Sequence, residues 1–443
     1  MTKRILLLAI LILLLAPTFA RAQYGEDGIR NIMFDTLVRG QVEALPVGVD
    51  QMRYIGNQYI TPDDSSIMKW ATNVVQRDIS FYADFELIQL DSFYLRVYEI
   101  TDLDLLGWQR LGAERMVKLE AEFPGNNLRI WWRLYDVIHQ QEIAKGQVEY
   151  HRAYWRELAH DVSNEVVYWL TGDPGIFRTK IAYIKAISPG VKEVFVSDYD
   201  GANEVQLTKT GSINISPAFS PDGKQIYFTS FKDGQPWLYR VGVDGGRFDK
   251  VAGFPGLNAA PAISPDGRKI ACVLSKDENS EIYVLDIDGR IIKRLTDNRW
   301  IDTAPTWSPD GARIAFSSDR TGTPQLYVMD DDGLNIQRLT FRGGYNDSPF
   351  WSPRGNPIGF VSRSKTGRFD IAAVDTSGHE YRMLTDVGAN ENPHYSPDGK
   401  HLIFSSTRLG GRDLYTMDAS GRNQRRLTTT TTCSNPAWGP LPR

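Results

Sequence analysis

Three short stretches gather carboxylates: Asp330-Asp331-Asp332-Gly333, Asp286-Ile287-Asp288-Gly289 and Asp198-Tyr199-Asp200-Gly201. Clustered carboxylates can ligate calcium. A calcium loop of the EF-hand kind needs an alternating ligand series closed by a distal glutamate, and none of the three continues that way. Asp-Gly between alternating apolar runs serves a tight hairpin instead, because it supplies the positive φ such a turn requires. The same holds for Asp266, Asp310 and Asp398, which sit in Ser-Pro-Asp-Gly turns. The histidines (His139, His151, His160, His379, His394 and His401) show no metal-ligand spacing. The chain has no Gly-x-Ser-x-Gly elbow, no His-Glu-x-x-His and no phosphate loop. An enzyme, a metal centre or a cofactor is therefore not expected. A formal charge of −4 speaks against sequence-blind nucleic-acid binding, which requires cations to neutralise phosphates.

The turns belong to a repeat. The prolines that close Pro-x-x-Ser-Pro are Pro221, Pro265, Pro309, Pro353 and Pro397, at a constant step of 44 residues. A degenerate sixth copy, "PAWGP", ends at Pro440. Each turn leads into an alternating strand such as "RIAFSS", then a strand ending at an acidic turn such as "LYVMDDDG", then a short "QRLT". Period-two alternation bounded by Gly, Asp and Pro marks strands. Four short strands in about 44 residues match a propeller blade. The unit at "KIAYIKA" lacks its first strand, and "NPAWGP" is a first strand with nothing after it. Together they complete one blade and remove two open sheet edges. Six blades are expected: five continuous and one shared between the two ends of the repeat region. Cys272 takes an aromatic slot held elsewhere by Phe228, Phe316, Phe360 and Phe404, so it reads as core. Cys433 lies in the shared blade, which is not adjacent, so a disulfide is not expected.

Residues 1–22 read as a secretory signal, with Lys3 and Arg4 before an apolar run and cleavage expected after Ala22. Residues 23–172 do not repeat. "SSIMKWATNVVQRDIS" and "AYWRELAHDVSNEVVYWLTG" carry helical spacing, with Trp155, Leu158, Val162, Val166 and Leu170 on one face and Gly172 as the stop. "RMVKLEAEF", "NLRIWWRLYDV" and "KGQVEYH" read as strands. The expectation is a multidomain chain: a small N-terminal α/β domain with a mobile N-terminal tail over 23–172, then a six-bladed β-propeller over 173–443 closed by its C-terminal strand.

The copies differ most just before each inner strand, where they read "NISP", "NAAP", "DTAP", "NDSP", "NENP" and "CSNP". Inner strands line a propeller's channel, so these loops ring one mouth. They offer Asn214, Asn258, Asp302, Thr303, Asn346, Asp347, Asn390, Glu391, Asn392 and Asn435. Two readings stand: polar capping of the strand starts, or a ring of donors and acceptors that grips a peptide or protein.

The junction "LTGDPGIFRTKIAYI" and the stretch "VSDYDGANEVQLT", together with the leader and the six Ser-Pro-Asp-Gly-type copies, resemble the TolB family. These are the periplasmic β-propellers of the Tol-Pal system in Gram-negative envelopes. The resemblance covers essentially all of the mature chain, with extra residues before "VEALPVGVD". It implies a non-enzymatic, monomeric adaptor that supports outer-membrane integrity and constriction at cell division. It implies binding of the lipoprotein Pal at the propeller mouth and of TolA through the N-terminal tail, the two being coupled. Other outer-membrane or peptidoglycan-associated proteins are further candidate partners. Leu257, Asn258, Ala260 and Thr303 fall in loops that contact Pal in the family. Asp302, Asn346, Asp347, Asn390 and Glu391 complete that mouth. Leu257 stands where well-known members have histidine. The TolA segment would be Gln23, Tyr24, Gly25, Glu26 and Asp27. Two alternatives stay open: a family-like propeller with a different protein partner, and a carbohydrate-binding or enzymatic periplasmic propeller.

Overall fold

The computed structural model describes residues 44–88, 104–363 and 367–442. The leader and the proposed TolA segment, Gln23 to Asp27, lie outside the described residues.

Among the described residues, the N-terminal domain is one mixed sheet with two long helices. Its strands are β1 (Leu45–Val49), β2 (Arg53–Tyr54), β3 (Phe85–Ile88), β4 (Arg115–Glu122), β5 (Asn127–Asp136) and β6 (Gln141–His151), in the order β3-β1-β4-β5-β6 with β2 beside β4. The helices are α1 (Pro62–Phe81), the short α2 (Leu105–Arg110) and α3 (Trp155–Thr171). Thr61 caps α1 in a reciprocal box: the Asp64 backbone N–H donates to Thr61 Oγ1 at 3.1 Å, and the Thr61 N–H to Asp64 Oδ2 at 3.0 Å. Leu158, Val162, Val166 and Leu170 are buried on one face of α3, which stops at Gly172 with φ 76°. The sequence showed β4, β5, β6 and both long helices. It did not show that β1 pairs in parallel with β3 and β4. Gly48 in β1 is required there, because a Cβ would come within 2.5 Å of the Trp108 ring.

The propeller consists of six four-stranded antiparallel sheets. Blades 1 to 5 have inner strands Asn214–Phe219, Asn258–Ile263, Asp302–Trp307, Asn346–Trp351 and Asn390–Tyr395. The closing blade joins β7 (Lys180–Ser188), β8 (Val191–Asp198) and β9 (Val205–Gln206) to the closing strand Cys433–Trp438. Ser434 faces Ile184 and Trp438 faces Ile181 in that antiparallel pairing. The ring thus closes as the missing strand implied. Cys272 and Cys433 are both buried free thiols, and Cys272 packs among Tyr227, Leu238, Tyr283 and Leu285.

The acidic turns are closed by their own hydrogen bonds. In Ser-Pro-Asp-Gly, the serine hydroxyl donates to the aspartate at 2.5 to 2.6 Å in all four copies. That bond holds the Asp222, Asp266 and Asp310 carboxyls below the usual carboxylate range. Asp286 accepts from the backbone N–H of Asp288 and Arg290 at 3.0 and 2.8 Å. Blade 4 departs from the pattern with Arg354 in place of the aspartate. Its Nε donates to the Asp398 carbonyl at 2.6 Å and its Nη2 to Asp173 of the linker at 2.8 Å.

The N-terminal domain rests on the face formed by these turns. Tyr82 donates to Asp398 at 3.0 Å, Asn423 to the Phe81 carbonyl at 3.0 Å, and Arg156 pairs with Asp200. The loops that precede the inner strands lie on the opposite face, so the mouth they form points away from the N-terminal domain.

Candidate functional site: the propeller mouth and channel

Five of the six mouth loops are built on a buried polar latch between neighbouring blades. Glu193 accepts from Thr208 Oγ1 at 2.5 Å and from Asn214 Nδ2 at 3.0 Å. Gln325 Oε1 accepts from Thr340 and Asn346, both at 2.8 Å. Asp370 Oδ1 accepts from Thr385 at 3.1 Å and from Asn390 at 3.0 Å. Asp413 Oδ1 accepts from Thr428 at 3.0 Å and from the Thr431 N–H at 2.9 Å. Between blades 2 and 3, Asn298 bridges: its N–H donates to Glu281 and its Nδ2 to Asp302, both at 2.8 Å. Burial, and then the Asp302 charge, raise the Glu281 carboxyl. Asn258 instead holds its own loop, exchanging bonds with the Phe254 N–H and carbonyl at 2.8 and 2.7 Å.

This corrects part of the expected mouth. Asn214, Asn258, Asp302, Asn346 and Asn390 are each 0 % exposed. Asn214, Asp302, Asn346 and Asn390 turn into the blade junctions and Asn258 into its own loop, where their side chains are engaged in capping. They position the mouth and do not present it. The next residue along each strand points the other way, because strand side chains alternate. Thr303, Asp347 and Glu391 are half-buried at these positions, as are Leu257 and Ala260 nearby. Asp347 accepts from the Tyr345 hydroxyl at 2.9 Å, and Glu391 pairs with Arg412.

One step further in, every inner strand breaks its register. The third residue takes a left-handed conformation, with φ 53° at Ser216, 51° at Ala260, 50° at Ala304, 54° at Ser348, 55° at Asn392 and 48° at Asn435. A proline follows in all six copies. A left-handed residue other than glycine costs on the order of 1–3 kcal/mol and persists only when its surroundings hold it. Six such bulges ring the axis and interrupt the ladder of each inner strand. They line a cavity of about 470 Å³ that reaches the Ser-Pro turns. The residue after the bulge proline shapes its wall in five blades, Ala218, Ala262, Thr306, Phe350 and His394, and the closing blade contributes Pro436 and Trp438. At this position the wall is therefore bulky at blades 4 and 5 and small at blades 1 and 2.

His394 lies against Phe350 with ring centroids 3.5 Å apart. Its Nδ1 accepts the Trp438 N–H at 3.1 Å, and burial pushes its pKa down to about 3. The unfolded chain takes up this proton below about pH 6.5, whereas the folded chain resists until about pH 3. The folded state thus keeps the full contribution of neutral His394 above pH 6.5 and loses it progressively as pH falls toward 3. Denaturant midpoints measured from pH 7 to pH 4 should fall less steeply in His394→Gln than in the unsubstituted protein.

An apolar rim on the mouth face was not read from the sequence. Trp300, Ile301, Phe341, Val387 and Leu409 are 36, 50, 68, 55 and 61 % exposed. The first four precede the inner strands of blades 3, 4 and 5, and Leu409 sits on a neighbouring turn. Aligning the loops copy by copy does not reveal it, since Ile213, Leu257 and Tyr345 stand at the position of Ile301 in other copies and only exposure separates them.

Comparison with known proteins agrees with this architecture. The TolB beta propeller domain model matches residues 167–442, and the TolB amino-terminal domain model matches residues 36–143. Tol-Pal system protein TolB of Roseobacter denitrificans is 33% identical over 242 residues, 54% of this chain and 52% of that protein. The protein of the same name from Geobacter metallireducens is 36% identical over 227 residues, 51% of this chain and 50% of that protein. The chain thus spans about half the length of the curated relatives it matches. The crystal structure of TolB from Acinetobacter baumannii superposes with a TM-score of 0.80 at 27% identity, covering 90% of this chain and 97% of that one. With a propeller model matched across more than half of its length, the chain belongs to the TolB family.

Proposed function

We propose that the chain is a non-enzymatic periplasmic adaptor of a Tol-Pal complex. It binds Pal at the propeller mouth and TolA through its N-terminal tail, and so supports outer-membrane integrity and constriction. The observation that carries the reading is the mouth itself. Half-buried Ala260, Thr303, Asp347 and Glu391 surround an apolar-walled channel on the face opposite the N-terminal domain. An exposed apolar rim surrounded by polar groups is the composition of a protein-binding surface. The family match and the leader-like sequence of residues 1–22 support the compartment and the partner class.

A bulky charge at the mouth tests the site. Thr303→Arg should weaken binding of the organism's own Pal at least tenfold with little change in melting temperature. Unchanged affinity in a folded Thr303→Arg protein would remove the mouth from the account.

Leu257 favours a second reading, in which the fold is kept and the partner differs. Its side chain packs against the blade 2–3 core, and its N–H donates to Ser275 at 2.8 Å. On the adaptor reading Leu257→His raises Pal affinity. If it does not, this residue is not the reason for any change of partner.

A further inference from the structure

Most of the ring is continuous chain. The boundary between blade 5 and the closing blade is different, because the closing strand Cys433–Trp438 completes a sheet begun about 250 residues earlier at β7. The N-terminal domain sits over this boundary and touches both of its sides.

The contact centres on the C-terminal end of α1. The Phe81 ring lies 5.4 Å from Tyr199 of the closing blade, 4.5 Å from His401 of blade 5 and 6.4 Å from Trp438 of the closing strand. It is 8 % exposed, and Tyr82, Tyr199 and His401 are at most 2 % exposed. Two Tyr-Asp-His groups flank this aromatic plug. On one side, Asp78 of α1 accepts from His160 Nδ1 at 2.8 Å and from the Tyr199 hydroxyl. On the other, Asp398 of blade 5 accepts from Tyr82, the residue that caps α1, at 3.0 Å, with His401 Nδ1 3.7 Å away. Arg425 of blade 5 donates to the Ser80 carbonyl. The linker adds to the same region: Thr179 Oγ1 accepts the Trp438 indole N–H at 2.9 Å, and Asp173 pairs with Arg354 and Lys400, each at 2.8 Å.

We propose that the N-terminal domain is a clasp on the ring's closing seam. While the Phe81 plug is seated, blade 5 and the closing blade are held as one unit. When the domain is displaced, the closing strand loosens. The consequence reaches the mouth, because the same strands run from the seam to it. The closing strand begins at Cys433 and Ser434 on the mouth face, and the inner strand of blade 5 begins at Asn390 and Glu391. Six residues of strand span about 20 Å. The Trp438 N–H to His394 bond ties the two strands together near the seam. A pull on the N-terminal domain would therefore be felt at one corner of the mouth, between blade 5 and the closing blade, and not evenly around it. The clasp goes beyond the adaptor reading and does not depend on the identity of the partner.

Hydrogen exchange on the whole mature protein tests it. Tyr82→Phe/Tyr199→Phe removes the two hydroxyls that tie the N-terminal domain to the two sides of the seam and keeps the apolar plug. In this variant the amides of Cys433–Trp438 and of β7 should exchange at least tenfold faster, with the inner strands of blades 2 and 3 unchanged. Phe81→Leu, which preserves most of the buried volume, should act in the same place. Unchanged exchange at the closing strand in both variants overturns the proposal. So does a rise of equal size in all six blades, which would report general destabilisation.

Discussion

Trp438→Ala is expected to destabilise the protein by about 3–5 kcal/mol, the usual range for truncating a buried aromatic side chain. Trp438 is 3 % exposed and ends the closing strand. Its ring contributes to the core that joins the two domains, and its indole N–H is spent on Thr179. The change leaves a cavity, removes the indole bond from Thr179 Oγ1, which keeps only its bond to the Ile176 carbonyl at 2.6 Å, and weakens the end of the closing ladder. Urea denaturation followed by tryptophan fluorescence should show a lower midpoint. A loss below about 1 kcal/mol would mean that the closing strand is held mainly by its backbone ladder, contrary to this account.

Asp413→Ala is expected to cost about 3 kcal/mol. Asp413 is 1 % exposed and accepts from Thr428, from the Thr431 N–H and from Arg426 at 2.6 Å. Removing one partner of a buried, hydrogen-bonded ion pair costs roughly 3–5 kcal/mol. The Arg426 side chain is 29 % exposed and regains water, which places the effect at the low end. Asp413→Asn keeps one acceptor and should cost roughly half as much. Thermal or urea unfolding of the three proteins side by side checks the order. Equal stability of the alanine and unsubstituted proteins would show that the latch contributes nothing.

The ring was legible because its information is periodic. Proline and glycine at a constant spacing mark turns, alternation marks strands, and a missing first strand at one end matched a lone first strand at the other. The site was legible only in part. Polarity at Asn346 or Asn390 does not say which way the side chain points. Its partner, Gln325 or Asp370, lies about 20 residues upstream and becomes visible only when blades are stacked. The left-handed bulge was written in the sequence as a residue followed by proline in every copy. Nothing local distinguishes it from an ordinary extended residue before proline, which is the usual preference. The parallel pairing of β1 with β3 and β4 joins segments far apart in the chain, and periodicity carries no record of such pairing. Arg354 illustrates the reverse case. It breaks the Ser-Pro-Asp-Gly pattern, and the structure gives the break a use, since this arginine reaches Asp173 in the linker.

The central claim is that the mouth of this propeller binds Pal. Calorimetric titration of the mature chain with the soluble part of Pal from the same organism tests it most directly. The account predicts saturable one-to-one binding that Thr303→Arg abolishes or weakens at least tenfold. No heat and no complex, with both proteins shown to be folded, would contradict it.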